Sequence, residues 1–466
     1  MEQFDLIVLG GGTGGYVAAI RAAQLGLKTA LVERDKVGGT CLHRGCIPTK
    51  ALLHTADVLD MLRRHEEFGV AIAGEVGLNY EKAQANKTKV VTQLWRGVQF
   101  LMKKNGITVY EGEGRLQGGG QIRVGTAKGE EVIAATDILI ATGSEPRPLP
   151  GLPFDGRRVL SSDHVLEHPD VPASILIIGG GAIGVEFASM YNDFGTRVTL
   201  VEALPHILPQ DEADVAKELT RLLTRRGIAI HAGATVAVDK VQVTESGVTA
   251  QVVTAAGQTE TVAADVLLVA IGRQAVTAGI GLEEAGVTLN RGFVEVDSLY
   301  HTRAPHISAI GDCIGGYLLA HVAAHEGMIA VEAIAGENPD PLDPNRVPRV
   351  TYCRPEVASL GLTEEQAREQ GHEVKTGVFP FRANGRSLIL GEGDGFVKLI
   401  ADARTNDLLG AHIIGPHASD LINEMALAKF LEATPWEVAE SVHAHPTVSE
   451  VLHEAALVVE GRGIHV

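Results

Sequence analysis

Three observations predict an α/β fold with two doubly wound domains and a C-terminal α+β domain. A pattern of strand, glycine turn, helix and strand over residues 6–33 is repeated without a gap over residues 175–202. A shorter apolar segment that ends at a glycine follows each copy, at residues 136–143 and 264–272. From Val350 the sequence changes to strand-like segments followed by a helical one, which is typical of a separate α+β domain.

Two proline-rich segments mark the domain boundaries. Residues 145–153 contain four prolines, and residues 336–344 contain three. Proline interrupts helices and strands, so such segments are typical of crossings between domains. The segment 87–104 has helical spacing and charge and predicts a helix on the first domain. The predicted divisions of the chain are residues 1–148, 149–272, 273–343 and 344–466.

Composition and charge exclude several functional classes. The formal net charge is −18 over 466 residues, whereas a surface that binds nucleic acid must be basic. Acidic charge of this size suits a basic protein partner instead. The chain opens with no secretory signal and has no run of about 18 apolar residues, so we expect no membrane span and a cytoplasmic location.

The first repeat carries the pattern of a dinucleotide site. Gly10, Gly12 and Gly15 follow an apolar strand and open a helix. Glycines at this spacing permit a tight turn and let backbone N–H groups approach a pyrophosphate. Glu33 lies about 20 residues further on, where an acid accepts a hydrogen bond from a ribose hydroxyl. The sequence therefore predicts a Rossmann-like nucleotide-binding unit.

The second repeat has the same spacing, with Gly179, Gly181 and Gly184 in the turn and Glu202 at the end of the following strand. A carboxylate at position 202 suits a free 2′-hydroxyl and repels a 2′-phosphate, which predicts NAD(H) rather than NADP(H). The alternative is a duplicate that no longer binds a nucleotide. The intact glycines and acid favour binding.

Cys41 and Cys46 form the most reactive pattern in the chain. In a regular helix five residues rise about 7.5 Å and place the two sulfurs on different faces, whereas a disulfide needs Cα atoms within about 7 Å. The pair can therefore bond only in an irregular segment, which Gly45 permits. Pro48 indicates a helix start, and a helix N-terminus beside Cys46 favours its thiolate.

Other interpretations of the cysteine pair are weaker. A metal site needs more ligands, and His43 is the only other candidate nearby. An inert structural disulfide fits poorly with a cytoplasmic chain. A redox-active pair beside two dinucleotide sites suggests a relay in which hydride moves between a nicotinamide and a flavin, followed by exchange between the flavin and the disulfide.

Residues 39–50, GTCLHRGCIPTK, follow the first βαβ unit and resemble the signature of the pyridine nucleotide–disulfide oxidoreductases. Residues 302–312 resemble the second flavin motif of that family, and the resemblance runs from Phe4 to the last residues. It implies FAD binding for residues 1–148 and 273–343, NAD binding for residues 149–272, and the interface of an obligate homodimer for residues 344–466.

The resemblance also implies roles for single residues. Asp312 matches the acid that binds the ribityl chain, and Lys50 and Glu186 match residues that pair beside the reactive flavin ring. Beyond the glycine patterns and their acids, the implied cofactor-binding residues are Thr40, Lys50, Thr142, Gly143, Gly272, Asp312 and Ala320.

Residues 443–450, HAHPTVSE, contain the candidate base. An imidazole accepts a thiol proton near neutral pH, and a nearby carboxylate can fix its tautomer and raise its basicity. The resemblance assigns the base to His445 and the orienting carboxylate to Glu450, both supplied by the partner subunit. It implies that a substrate thiolate attacks Cys41 and leaves Cys46 as a thiolate against the flavin.

Within the family the chain most resembles the dihydrolipoamide dehydrogenases. This implies oxidation of protein-bound dihydrolipoamide within 2-oxoacid dehydrogenase complexes, with the lipoyl and subunit-binding domains of an acyltransferase as partners. The alternatives are an NAD(P)H-dependent reductase of another low-molecular-weight disulfide and a chiefly structural component of such a complex.

The sequence departs from the family pattern at His43, Arg44, Thr49 and Arg354. Because Arg44 lies beside the cysteine pair, it is expected to alter the redox poise or to favour an acidic substrate. The two remaining cysteines, Cys313 and Cys353, are expected to be buried small hydrophobes.

Overall fold

A computed structural model of the chain describes residues 1–465. Within these residues the α-helices are α1 (Thr13–Gln24), α2 (Gly39–Arg44), α3 (Cys46–Arg63), α4 (Tyr80–Lys104), α5 (Ser162–Leu166), α6 (Ala182–Asp193), α7 (Ala213–Arg225), α8 (Ala320–Ile334), α9 (Glu364–Glu369), α10 (Gly385–Ile389), α11 (Ala418–Phe430), α12 (Pro435–Glu440) and α13 (Glu450–Val459).

The strands are β1 (Glu2–Leu9), β2 (Thr29–Glu33), β3 (Thr108–Gly118), β4 (Gln121–Thr126), β5 (Gly129–Ile140), β6 (Ser144–Pro146), β7 (Val159–Leu160), β8 (Ser174–Ile178), β9 (Arg197–Glu202), β10 (Ala229–Ala232), β11 (Thr235–Val236), β12 (Gln242–Thr244), β13 (Gly247–Val253), β14 (Thr259–Ala264), β15 (Val266–Val269), β16 (Arg273–Ala275), β17 (Leu289–Asn290), β18 (Phe293–Val294), β19 (Ile307–Ala309), β20 (Arg349–Thr351), β21 (Glu356–Gly361), β22 (Val374–Pro380), β23 (Phe396–Asp402) and β24 (Leu408–Gly415).

The first of two compact units comprises Met1–Leu52, Asn79–Arg147 and Gly272–Leu342. Its main sheet has a parallel part in the order β3-β2-β1-β5-β19, and β4 pairs antiparallel with both β3 and β5. β1 and β2 and the end of β5 are buried and largely apolar on both faces because helices and loops cover both sides of such a sheet.

The strand register in this unit aligns the ends of the strands at one edge of the sheet. Leu9 lies opposite both Val32 and Ile140, and Ile140 lies opposite Ala309. The loops that follow β1, β2, β5 and β19 therefore leave from the same edge. Ligands of doubly wound sheets bind at this carboxyl edge, and the predicted glycine turn lies there.

The second unit comprises Leu53–Leu78, Pro148–Ile271 and the chain from Asp343 to the end of the described residues. Its parallel sheet has the order β10-β9-β8-β15-β7, and β11, β12 and β14 form a smaller antiparallel sheet with β13. On α7, Val215, Leu219 and Leu222 recur at helical spacing on the buried face.

The C-terminal sheet of the second unit is antiparallel in the order β20-β21-β24-β23-β22. Helices α11 and α13 pack against it, and buried Leu452, Ala455 and Ala456 of α13 belong to its apolar core. Burial of each large apolar side chain contributes about 1.5–3 kcal/mol. This packing fixes α13, whose first residue is Glu450.

A buried lysine joins three elements of the same unit. The Lys398 Nζ on β23 donates to carboxylate oxygens of Glu212 at 2.8 Å and Asp214 at 2.7 Å, and lies 2.8 Å from a carboxylate oxygen of Glu364. These hydrogen bonds raise the pKa of Lys398 even though burial acts in the opposite direction. The cluster connects the N-terminal end of α7, β23 and α9.

The structure and the matches described below confirm the predicted fold class of two doubly wound parts and a C-terminal α+β part. The predicted helix 87–104 lies within the longer α4. The two compact units divide after Arg147, Ile271 and Leu342, and residues 53–78 group with the second unit. The finer division into four segments remains a prediction. No helix in residues 1–465 is long and apolar enough to cross a bilayer.

Candidate active site

The first glycine turn forms an open cradle at the end of β1. Gly10 has a φ of +108°, and a Cβ there would lie 2.2 Å from the Ala141 carbonyl oxygen. A Cβ on Gly15 would lie 1.9 Å from the Gly10 carbonyl oxygen. Among the described residues no side chain caps the start of α1, and a Cβ on Gly12 would meet no atom within 4 Å. The first-turn N–H groups therefore fit the pyrophosphate of a dinucleotide such as FAD.

Glu33 is held at the end of β2 by two backbone amides. Its Oε2 accepts from the Gly11 N–H at 2.7 Å, and its Oε1 accepts from the Asp35 N–H at 2.8 Å. A carboxylate oxygen has two lone pairs, so both oxygens retain capacity for a ribose hydroxyl. The ribose role of Glu33 remains a prediction.

The second glycine turn has nearly the same geometry. A Cβ on Gly179 would lie 2.3 Å from the Ala270 carbonyl oxygen, and one on Gly184 would lie 1.9 Å from the Gly179 carbonyl oxygen. Buried Glu202 accepts from the Gly180 N–H at 2.6 Å, and the Gly181 N-cap of α6 carries no side-chain cap. This turn fits a second dinucleotide, as predicted for NAD.

The cysteine pair spans a break between two helices. Cys41 lies in α2, α3 begins at Cys46, and Gly45 separates them. A Cβ on Gly45 would lie 3.0 Å from the Thr40 carbonyl oxygen, so the small residue permits the close approach of the two segments. This is the irregular segment that the spacing of the cysteines requires.

The two sulfurs lie within hydrogen-bonding reach of each other. The Cys46 side chain and burial raise the pKa of Cys41 above its usual range, whereas the Thr13 hydroxyl and the Lys50 ammonium act to lower it. Lys50 lies on α3, one turn after Cys46. The dipole at the start of α3 favours negative charge at Cys46.

His43 and Arg44, which lie between Cys41 and Cys46 and depart from the family pattern, both have partners nearby. The Arg44 guanidinium forms an ion pair with the Asp35 carboxylate, which offsets its charge. The His43 Nε2 lies 3.0 Å from the Val37 carbonyl oxygen, and its ring packs edge-on against Trp95 at 5.9 Å between centroids. The ion pair thus connects Arg44, the last residue of α2, to the segment that directly follows Glu33.

The predicted flavin acid, Asp312, belongs to a polar network. The Ser144 hydroxyl donates to Asp312, and Arg273 donates from Nε to the Ser144 hydroxyl at 2.7 Å and from Nη2 to the Ser144 carbonyl at 2.8 Å. Motif reasoning missed Ser144 and Arg273. Each directly follows a predicted residue, Gly143 or Gly272, so extending both motifs by one position would have found them.

Hydrogen bonds also fix the other segments that resemble flavin motifs, at Thr142 and Gly143 and at the start of α8. The Thr142 hydroxyl donates to the Val276 carbonyl at 2.7 Å, and the Gly143 carbonyl accepts from the Val276 N–H at 2.9 Å. Ala320 is the first residue of α8. On the same helix, buried Glu326 accepts from the Gly311 N–H at 2.7 Å, and burial raises the pKa of Glu326 to about 7.

Glu186 is buried on α6 and accepts from the Tyr352 N–H at 3.0 Å. The same helix is held by Arg354, one of the departures from the family pattern. Arg354 donates to Asp193 of α6 at 3.0 Å and to Asp60 of α3 at 2.7 Å. The pairing of Glu186 with Lys50 remains a prediction.

Cys313 and Cys353 are both buried, as predicted. The Cys313 thiol lies 3.1 Å from the Ile310 carbonyl, and the Cys353 thiol lies 3.1 Å from the Pro355 carbonyl. Burial raises the pKa of Cys313 to about 11 and raises that of Cys353 further. Both therefore remain protonated thiols near neutral pH.

The candidate base lies at the start of α13. The His445 Nδ1 is 2.9 Å from the Glu450 Oε1, and the Glu450 Oε2 accepts from the Thr447 N–H at 2.8 Å. Burial acts to raise the pKa of Glu450, but the Thr447 amide and His445 hold it below its usual range. The carboxylate therefore fixes a proton on Nδ1 and leaves Nε2 as the basic nitrogen. The His445 side chain is 81% exposed.

Comparison with known families agrees with this geometry. Residues 4–327 match the family described as pyridine nucleotide-disulphide oxidoreductase. The chain belongs to this family. Residues 347–456 match its dimerisation domain, which supports the predicted homodimer. The predicted cofactors, FAD and NAD, are confirmed by this membership together with the relatives below.

Similar proteins match along nearly the whole chain. A dihydrolipoyl dehydrogenase of Bacillus subtilis is 52% identical, over 99% of this chain and 99% of the relative. A dihydrolipoyl dehydrogenase of Zymomonas mobilis is 45% identical, over 100% of this chain and 99% of the relative. The solved structure of LpdA from Mycobacterium tuberculosis superposes with a TM-score of 0.89 at 29% identity, covering 98% of this chain and 100% of that chain.

Proposed function

We propose that this chain oxidises protein-bound dihydrolipoamide to lipoamide through Cys41 and Cys46, with FAD as the electron acceptor and NAD as the final hydride acceptor. The observation that carries the proposal is the hydrogen-bonded pair of Cys41, in α2, and Cys46, the first residue of α3, found together with a base oriented by a carboxylate. Relatives that match the whole chain are named dihydrolipoyl dehydrogenase.

The residues of this chain perform the thiol chemistry. His445 accepts the proton of one substrate thiol, and the resulting thiolate attacks the Cys41 sulfur. The Cys41–Cys46 bond breaks as the mixed disulfide forms, and Cys46 leaves as a thiolate stabilised by the start of α3. The second substrate thiol then displaces Cys41 and passes its proton to the departing Cys41 sulfur, which releases lipoamide and leaves two electrons in the cysteine pair.

The cofactors are held at the two glycine turns. The first turn, with Glu33, Thr142, Gly143 and Asp312, holds FAD, and the second turn, with Glu202, holds NAD. FAD, when bound, supplies a two-electron acceptor for the dithiol and a hydride donor for NAD. The remaining residues proposed to contact the cofactors are Thr40, Lys50, Glu186, Gly272 and Ala320.

The proposed assembly is a cytoplasmic homodimer in which His445 and Glu450 of one protomer serve the cysteine pair of the other. The match to a dimerisation domain supports the dimer. The proposed partners are the lipoyl domain and the subunit-binding domain of a 2-oxoacid dehydrogenase acyltransferase. A net charge of −18 suits a basic binding domain.

Steady-state turnover of the purified flavoprotein tests the proposal, with dihydrolipoamide plus NAD compared against oxidised glutathione plus NADPH. We expect rapid NAD reduction by dihydrolipoamide, abolished in Cys46→Ser and lowered about 10²–10⁴-fold in His445→Ala. The control is His372→Asn, which alters another histidine paired with a carboxylate, Asp402 at 2.7 Å, on the C-terminal sheet.

A flavoprotein that accepts electrons from NADH but does not turn over dihydrolipoamide would overturn the proposed substrate. Faster reduction of glutathione disulfide with NADPH would favour the alternative, a reductase of another disulfide. Equal activity of His445→Ala and the His372→Asn control would exclude His445 as the base.

A further inference from the structure

Both histidines of the HAHPTVSE motif are paired with a carboxylate, but their surroundings differ. The His443 Nε2 lies 2.8 Å from the Glu424 Oε1, and the His445 Nδ1 lies 2.9 Å from the Glu450 Oε1. The His443 side chain is only 8% exposed, against 81% for His445. A substrate thiol can reach His445, whereas His443 is enclosed by its own subunit.

The hydrogen bonds of His443 determine its protonation state. Its Nδ1 lies 3.0 Å from the Ser441 carbonyl oxygen, so both ring nitrogens face acceptors. A neutral imidazole has one N–H and can donate to only one of them, whereas an imidazolium donates to both. The Glu424 carboxylate also raises the pKa of His443, although burial opposes it.

Few titratable groups face His443. Glu424 approaches from α11, and Glu450 and His453 approach from α13, with the His443 and His453 rings 5.6 Å apart between centroids. The His443 charge is one of the influences that hold the pKa of Glu450 below its usual range, after those of the Thr447 amide and His445. The two histidine–carboxylate pairs are therefore electrostatically linked through Glu450.

We infer that His443 is a positioning residue held as an imidazolium by Glu424 and the Ser441 carbonyl, whose fixed positive charge keeps Glu450 ionised and aligned on His445. This inference rests on the proposed function, because it assigns His443 to the proton transfer at the same site. His443 itself accepts no substrate proton. It stabilises the carboxylate that orients the base.

The inference has a definite pH signature. A histidine whose pKa is raised keeps its proton at low pH and loses it as the pH rises through that pKa. The turnover of dihydrolipoamide should therefore decline on the alkaline side as His443 becomes neutral. His443→Gln removes the charge but keeps an N–H donor, so we expect about a tenfold lower kcat, a small change in KM, and loss of that alkaline decline.

The experiment compares His443→Gln, Glu424→Gln and the control His465→Asn, which alters another histidine–carboxylate pair, with Glu454 at 2.6 Å. Turnover with dihydrolipoamide and NAD is measured across pH, and reduction of a one-electron dye by NADH reports the flavin without using the base. Imidazole ¹⁵N NMR of histidine-labelled holoenzyme, assigned by the loss of one signal in His443→Gln, measures protonation directly.

Two protonated ring nitrogens at neutral pH, together with a flattened alkaline limb in His443→Gln and unchanged dye reduction, support the inference. A bare ring nitrogen on His443, or an alkaline limb that is identical in wild type and His443→Gln, would overturn it. If the wild type reduces the dye but never oxidises dihydrolipoamide, the proposed function fails, and the NMR result still decides the charge of His443.

Discussion

The two glycine turns have nearly the same backbone geometry but continue differently. Gly10 and Gly179 each approach a carbonyl so closely that a Cβ would lie 2.2 and 2.3 Å from it, respectively. Glu33 accepts from the Gly11 N–H at 2.7 Å and Glu202 from the Gly180 N–H at 2.6 Å, and each donor directly follows the first glycine of its turn. The backbone and the acid thus determine the geometry of the turn, and this geometry is the same in both copies.

The difference lies in the segment after the acid. In the first copy the Gly38 N–H donates to the Gly11 carbonyl at 2.7 Å, and α2, the helix of Cys41, begins at the next residue. In the second copy the Leu208 N–H donates to the Gly180 carbonyl at 2.8 Å, and the next cysteine along the chain is the distant Cys313. The segment that contacts the glycine turn therefore leads to the helix of Cys41 in the first copy, whereas in the second copy it contains the buried apolar Leu208.

The largest effects are expected from alanine substitutions in the two glycine turns, which should each impair the binding of a different cofactor. Gly179→Ala forces a Cβ against the Ala270 carbonyl at a φ of +109° and should abolish flavin reduction by NADH. Anaerobic reduction of the flavin by dihydrolipoamide should persist, because the first turn is intact. Gly10→Ala should instead prevent FAD retention altogether.

Flavin content and stopped-flow reduction by each donor measure these outcomes. Gly97→Ala is the matched control, because its Cβ would meet no atom within 4 Å and the residue lies inside α4. Loss of both half-reactions in a Gly179→Ala protein that retains FAD would contradict this separation of the two turns.

The next effect concerns the ion pairs that hold the helices of the two copies. In the second copy Arg354 and Arg226 both bind Asp193 at the end of α6, where the aspartate side chain is almost fully buried. Removing one member of a buried pair leaves an uncompensated charge and costs about 3–5 kcal/mol. Because Arg226 still pairs with Asp193 in Arg354→Met, the free energy of unfolding should fall by less than this, by about 1.5–3 kcal/mol for the lost hydrogen bonds to Asp193 and Asp60.

The first copy offers the contrast. Arg44→Gln breaks an exposed ion pair and should change the free energy of unfolding by less than about 1 kcal/mol. Chemical denaturation of the holoenzymes measures both changes. Equal losses in the two variants would mean that burial does not distinguish these ion pairs.

A smaller effect distinguishes the two acids. Glu202→Ala removes charge-assisted hydrogen bonds to Gly180 and Leu204, each worth about 1.5–3 kcal/mol, and should raise the KM for NAD about tenfold or more without loss of flavin. Glu33→Ala should instead weaken FAD retention and leave the KM for NAD unchanged. Titration of released FAD and NAD saturation curves separate the two results. A raised KM for NAD in Glu33→Ala would contradict the assignment of Glu33 to FAD and of Glu202 to NAD.

The sequence predicted those parts of the molecule that depend on local backbone geometry. Glycines that must approach a carbonyl, an acid at a strand end and a cysteine pair around Gly45 are all visible as short patterns, and the structure forms each turn as expected. The longer glycine–strand repeat made the two doubly wound parts equally visible.

Contacts between distant parts of the chain were not predictable in this way. Glu424 reaches His443 from α11, and Arg273 reaches Ser144 across 129 residues of sequence. The ion pair of Arg44 with Asp35 was likewise not visible in the sequence. Such pairs depend on which elements the fold brings together, and a single sequence contains no spacing rule for them.

The exposure of His445 has a genetic consequence for the proposed dimer. In the proposed dimer, this base, 81% exposed on its own chain, serves the cysteine pair of the second copy. Two inactive alleles, one encoding Cys46→Ser and the other His445→Ala, should then complement each other when co-expressed. Each hybrid dimer combines both lesions at one site and leaves the other site with an intact cysteine pair and an intact base, so a cell carrying both defects should recover activity that neither allele provides alone.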